Sequence, residues 1–156
     1  MSEHKEEEAF ETFVDIIAKL RGENGCPWDK EQTFESLKLC MVNEITEALA
    51  GIDLYTQTGN AENLCEELGD VLMQVVLLSQ IAREKGLFDI TDVIKGISEK
   101  MIRRHPHVFG APGTEVPDWE AIKQQEKQQR SRELEQAEKA AFRAAAGQII
   151  CHLSER

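Results

Sequence analysis

Two short acidic motifs constrain this chain more than any other feature. Asn43-Glu44-Ile45-Thr46-Glu47 and Glu66-Glu67-Leu68-Gly69-Asp70 each place two carboxylates three residues apart. On a helix, residues at i and i+3 lie on one face. At about 100° per residue, Glu44 and Glu47 fall about 100° and 160° to one side of an apolar stripe of Met41, Val42, Ile45, Leu49 and Ile52. Glu67 and Asp70 fall at the same offsets beside Leu64, Leu68, Val71, Leu72 and Val75. Two helices with matching acidic edges and matching apolar stripes can pack as an antiparallel pair, and four carboxylates then converge. Like charges at this spacing repel, so the arrangement calls for a compensating hard cation such as Mg²⁺ or Mn²⁺. The alternative at this stage is two solvated acidic faces.

The remaining elements are helical as well. Phe10, Phe13, Ile16, Ile17 and Leu20 define an amphipathic first helix over residues 6–20. Two glycines, an Asn-Gly step and Pro27 make residues 21–29 a loop. Trp28 in this loop is expected as a core plug, the ordinary fate of tryptophan, with the wall of a ligand base as its functional alternative. A second helix starts between Glu31 and Phe34 and runs to Tyr55. Asn60 caps a third, which reaches Ile81 and is apolar nearly all round between Val71 and Leu78. Burial on that scale predicts an internal core and a subunit interface. Gly69 is expected to admit a close neighbour or ligand beside Asp70. Gly86 ends this helix, and Asp89 or Thr91 caps the next.

That fourth helix carries Val93, Ile94, Ile97, Met101 and Ile102 on one face. It ends in Lys100, Arg103 and Arg104, just before Pro106 stops it. Cations in a last turn complement the helix dipole, and in so acidic a chain they are also a natural seat for phosphate oxygens. His105 and His107 lack the further ligands a zinc site needs and are read as structural or phosphate-contacting. After a loop to Pro117, Asp118 caps a helix in which Trp119 and Lys123 share a face. From Gln124 onward the chain is polar, helical in propensity and without an apolar stripe. It is expected to be exposed or frayed.

Composition narrows the function. With 29 acidic and 18 basic residues the net charge is −11, which argues against a bulk nucleic-acid or anionic-membrane binder. No apolar run approaches a membrane span, and residues 1–8 lack a signal-peptide core, so a cytoplasmic protein is expected. Cys26, Cys40, Cys65 and Cys151 show no zinc spacing and are read as reduced thiols, with Cys40 and Cys65 as small hydrophobes.

These residues resemble a known family. Glu44-x-x-Glu47 followed by Glu67-x-x-Asp70 is similar to the metal-binding signature of the MazG nucleoside triphosphate pyrophosphohydrolases. The flanking Gly25-Cys26-Pro27-Trp28-Asp29, Gln32-Thr33, Ser36-Leu37 and Arg103-Arg104-His105-Pro106-His107-Val108-Phe109-Gly110 agree, and the resemblance covers roughly residues 10–127. Asn43 stands where the family usually has an acid, and Phe34 where it usually has His.

The resemblance implies an all-α antiparallel bundle completed by oligomerisation, as a homodimer or tetramer. Residues 1–123 would form the MazG-like domain and residues 124–156 a polar helical extension. It also implies a hydrolase cleaving NTP and dNTP to monophosphate and pyrophosphate by water attack at the α-phosphate. Glu44, Glu47, Glu67 and Asp70 would bind one or two Mg²⁺, with Mn²⁺ as a substitute. Lys100 and Arg104 would contact the triphosphate, joined by Arg103. Trp119, Lys123 and Trp28 would lie near the nucleotide. Three alternatives stay open: a di-iron carboxylate bundle, disfavoured because no His sits three after a Glu; a nucleotide-sensing or oligomerisation module weakened at Asn43; and a hydrolase for non-standard nucleotides or a guanosine alarmone.

Overall fold

The computed structural model describes residues 3–128 and 131–154, and every regular element among them is α-helical. The elements are α1 (Glu3–Arg21), α2 (Pro27–Glu31), α3 (Leu37–Thr58), α4 (Glu62–Glu84), α5 (Ile90–Arg104), α6 (Pro106–Phe109), α7 (Trp119–Gln128) and α8 (Arg132–Ser154). They form two units, residues 1–90 and 91–156.

In the first unit α3 and α4 form an antiparallel hairpin. Gly59 turns the chain at φ 73°, a left-handed conformation suited to glycine at a helix end. The Asn60 Oδ1 accepts a hydrogen bond from the Glu62 amide (2.8 Å), but the N-cap of α4 is Ala61, so Asn60, expected as the cap, stands one residue ahead of it. At the other end Gly86 has φ 67°, and the Leu87 amide donates back to the Ala82 carbonyl (3.0 Å), closing a Schellman motif.

Before α3, Thr33 and Ser36 bond reciprocally. The Ser36 hydroxyl accepts from the Thr33 amide (2.9 Å), and the Thr33 hydroxyl accepts from the Ser36 amide (3.1 Å). These bonds pair two backbone donors in the turn ahead of α3, which starts at Leu37 and not at residues 31–34; its N-cap, Ser36, makes no side-chain capping bond. The loop expected over residues 21–29 is interrupted by α2, with Pro27 at its first position. Gly25 makes the tight crossing before it, since a Cβ there would meet the Leu20 carbonyl oxygen at 2.0 Å.

The core joins Ile17 of α1 to Leu37 of α3 and to Val76, Leu77 and Ile81 of α4. Phe10, Phe13, Phe34, Cys40 and Met73 pack around them. Phe34 is therefore a packing residue here. Arg21 ties α1 to two neighbours. It donates to both carboxylate oxygens of Glu84 (2.8 and 2.6 Å) and to the backbone carbonyl of Gln32 (3.2 Å).

Two further sequence expectations change in this unit. Trp28 is 58% exposed, so it plugs no core. It sits at the start of a five-residue helix that buries nothing. Cys65, expected as a small buried hydrophobe, is exposed, while Cys40 is packed on the core. None of the four cysteines is in a disulfide.

In the second unit α5 ends at Arg104, and Pro106 opens the one-turn α6. The Asp118 carboxylate accepts from the Glu120 amide (3.0 Å), capping α7 as anticipated. α8 is a 23-residue helix with no buried side chain, so the exposed character expected there holds while the backbone is regular. Residues 129–130 and 155–156 of the polar extension lie outside the described residues.

Candidate metal and anion sites

Beyond the Leu37 core, the α3–α4 contact is made by small side chains. Ala48 and Gly51 are the buried α3 residues on this face besides Leu37. A Cβ on Gly51 would stand 3.1 Å from Leu64 Cα and 3.1 Å from Asn63 Oδ1. One turn before Ala48, and one and two turns beyond Asn63, the same face carries acids. Glu44, Glu67 and Asp70 present oxygens that all lie within 4.8 Å of one another. All three are half-buried. Asn63 donates to Glu67 Oε1 (2.9 Å), which orients that carboxylate.

Glu47 lies outside this group of three and is exposed. Its charge still reaches the site. The Glu44 carboxyl is held above its usual range, first by partial burial and then by repulsion from Asp70, Glu47 and Glu67. Gly69, expected to admit a neighbour, faces open space.

The apolar stripes point elsewhere. Ile45, Leu49 and Ile52 on α3 and Leu68 and Leu72 on α4 are 41–59% exposed. The residues of the Val71–Leu78 run that are buried, Gln74, Val76 and Leu77, are covered within the chain. The hairpin thus brings acids of its two edges together and leaves Ile45, Leu49, Ile52, Leu68 and Leu72 of its apolar stripes exposed.

These carboxylates suit a hard divalent ion. Mg²⁺ takes oxygens at about 2.1 Å in octahedral geometry, so opposite ligands stand about 4.2 Å apart. A set of oxygens within 4.8 Å of one another meets that need, and it contains none of the nitrogen or sulfur that zinc prefers.

The second unit brings two of the four sequence-nominated cations, Arg104 and Lys123, to Trp119. The Arg104 guanidinium lies 5.1 Å from the indole centroid and the Lys123 ammonium 5.8 Å, both within cation–π range. His105 packs on the same indole at 5.5 Å between centroids, and its Nδ1 donates to the Met101 carbonyl at 2.7 Å. Lys100 stands one turn before Arg104, half-buried on the same helix face.

Glu126 was not among the nominated residues. It accepts from Arg103 (2.6 and 3.1 Å) and from Arg104 (2.5 and 3.3 Å). These two hydrogen-bonded guanidinium groups hold its carboxyl down to about 2. A sequence signal existed: Glu126 lies three and seven residues after Lys123 and Trp119, on their face of α7.

An all-α hairpin that brings carboxylates from two helices within 4.8 Å of one another has the form of a helical protein able to take a divalent cation through oxygen. Comparison with known proteins makes this specific. Residues 32–109 match the MazG nucleotide pyrophosphohydrolase domain, and the chain belongs to that family.

A nucleoside triphosphate pyrophosphohydrolase/pyrophosphatase MazG of Thermotoga maritima is 53% identical over 119 residues, covering 76% of this chain and 45% of that protein. The nucleoside triphosphate pyrophosphohydrolase of Escherichia coli K12 is 42% identical over 125 residues, covering 76% of this chain and 46% of that protein. The uncharacterized protein YabN of Bacillus subtilis is 52% identical over 123 residues, 24% of its length. The chain therefore spans half or less of the length of these relatives. No helix among the described residues is long and apolar enough to cross a membrane.

Proposed function

We propose that this chain hydrolyses nucleoside and deoxynucleoside triphosphates to the monophosphate and pyrophosphate, by attack of water at the α-phosphorus, in the cytoplasm. The observation that carries this reading is the convergence of Glu44, Glu67 and Asp70 across the α3–α4 hairpin in a chain of the MazG family. These three, with Glu47 at the rim, are the residues to hold Mg²⁺ or Mn²⁺. A cation there supplies charge neutralisation for the polyphosphate and acidifies a water. Asn63 keeps Glu67 aimed at the common point. Lys100, Arg103 and Arg104 take polyphosphate oxygens, where fixed cations stabilise developing charge. Trp119 offers a flat surface for a base, flanked by Lys123, and Trp28 offers another, which its exposure leaves available.

A second copy of the chain covers the exposed Ile45, Leu49, Ile52, Leu68 and Leu72 in this reading. Stripes of this size on a soluble chain ordinarily mark an interface, and the relation of one copy to the other is then a homodimer or a tetramer built from it.

The deciding experiment incubates purified protein with Mg²⁺ and a panel of NTPs and dNTPs, with products followed by phosphorus NMR. Monophosphate and pyrophosphate in equal amounts are expected. Release of orthophosphate, or binding without turnover across the panel, would reject the assignment.

A further inference from the structure

The Arg103–Arg104 pair already carries an anion. The Glu126 carboxylate uses Oε1 on both guanidinium groups and Oε2 on Arg104. Arg104 and Glu126 are well shielded, with side chains 15% and 22% exposed. The guanidinium fork accommodates a carboxylate and a phosphate with the same planar, two-point geometry. We propose that Glu126 is a built-in competitor for phosphate on Arg103 and Arg104, and so sets how strong an anion must be to take that seat. The inference rests on the reading of Arg103 and Arg104 as phosphate contacts.

The physical consequence follows from mass action. A ligand that needs both guanidinium groups binds only the fraction of molecules in which Glu126 has let go, and its apparent affinity falls by that fraction. The factor is the same for every such anion. A polyphosphate, with several charges and several oxygens to place, still binds. A monophosphate, weaker from the start, drops out of range at the same concentration. Glu126 thereby suppresses retention of singly phosphorylated compounds without any contact to the nucleotide itself. Its carboxyl stays ionised throughout the neutral range, so the competition is constant there. Release of Arg104 also alters the surroundings of Trp119, because the guanidinium that Glu126 holds is the one lying 5.1 Å from the indole centroid. The alternative role for Glu126 is a brace that keeps Arg103 and Arg104 in place, and it has the opposite sign: removing a brace weakens anion binding.

The test uses inorganic pyrophosphate in the presence of a metal chelator, with binding measured by calorimetry and by the NMR signal of the Trp119 indole N–H. The whole chain is used, as wild type, Glu126→Gln, Glu126→Asp and Arg104→Ala. Glu126→Gln is expected to bind pyrophosphate about tenfold more tightly than the wild type. Glu126→Asp, too short to span both guanidinium groups, should fall between them, and the Trp119 signal should move in each titration. Glu126→Asp alone decides the matter if loss of the Trp119 signal shows that Glu126→Gln has disordered its surroundings. Affinity equal to or weaker than wild type in the folded Glu126 variants overturns the competitor role in favour of a brace. If Arg104→Ala binds pyrophosphate as the wild type does, the fault lies in the phosphate-contact reading, and the proposal falls with it.

Discussion

Gly51 of α3 packs directly on Leu64 of α4: a Cβ at position 51 would stand 3.1 Å from Leu64 Cα. Backbone cannot swing aside as a side-chain tip can, so a larger residue must separate α3 from α4. The carboxylates of Glu44, Glu67 and Asp70 lie further along that same contact. Gly51→Val is therefore expected to cost about 1–3 kcal/mol in urea unfolding. It should also weaken Mn²⁺ binding about tenfold, as loss of support around a metal site commonly does. Unchanged Mn²⁺ affinity in a destabilised Gly51→Val would separate the helix contact from the site.

The acids themselves predict effects of opposite sign in the presence and absence of metal. Burial and repulsion from its neighbours hold the Glu44 carboxyl above its usual range, so the site is strained until a cation compensates it. Asp70→Asn removes one source of that repulsion. Without metal its melting temperature should rise by about 2–4 °C. With Mg²⁺ the wild type should gain stability by mass action while Asp70→Asn gains little. A variant that melts lower without metal would show that Asp70 has a favourable partner outranking the repulsion.

A good part of this architecture was legible in the residues, and the divide is physical. Local signals came through: Gly86 ends α4, Asp118 caps α7, Asn60 precedes α4 and Pro106 stops α5, each through bonds within a few residues. The acidic periodicity also put Glu44, Glu67 and Asp70 on facing edges. Periodicity reports which residues share a face, however, and not which face meets a partner. Ile45 and Leu68 of the apolar stripes stay exposed, while Ala48 and Gly51 lie in the α3–α4 contact, where small side chains allow closer backbones. Trp28 was misplaced for a related reason: burial is a property of tertiary surroundings, and a five-residue helix supplies few. Glu126 carried no local signal beyond its spacing from Trp119, because its partners are 22 and 23 residues away.

The Glu126 contact also predicts a pH dependence. Its carboxyl is lowered to about 2 in the folded chain, against about 4.3 in an unfolded one. A lowered folded value stabilises the native state above the unfolded value, and the contribution is lost as pH falls towards the folded one. The difference in stability between wild type and Glu126→Gln should thus be flat from about pH 5 to 8, shrink below about pH 4.3 and vanish near pH 2. Urea unfolding monitored at the Trp119 indole resonance reads this difference. A difference that persists undiminished at pH 2 would mean that the two variants differ through something other than the ion pairs.

The exposed stripes predict an assembly. Leu49 and Leu68 are 59% and 54% exposed, and each sits amid other apolar residues. Sedimentation at micromolar concentration should find a dimer or larger for the wild type. Introducing charge by Leu49→Glu or Leu68→Glu should shift the protein towards monomer, since an unpaired charge in an apolar contact carries a large desolvation cost. A wild-type monomer would reject the second copy as the cover for these stripes.

Gln74 provides the last expectation. It is 3% exposed, on the α4 face that continues from Asp70 into the core, and its Oε1 has no hydrogen-bond partner among the described residues. A buried acceptor left unpaired costs about 1–3 kcal/mol, while an apolar side chain of the same shape avoids that penalty. Methionine matches glutamine closely in length and bends to fill irregular space. Gln74→Met should therefore raise stability to urea by about 1 kcal/mol. Gln74→Ala should lower it, because the cavity it leaves outweighs the relief. The pair of variants separates polarity from volume at one position. If Gln74→Met were destabilised as much as Gln74→Ala, the glutamine amide would be making a bond that contributes to the fold, and its carbonyl oxygen would have to be paired in solution.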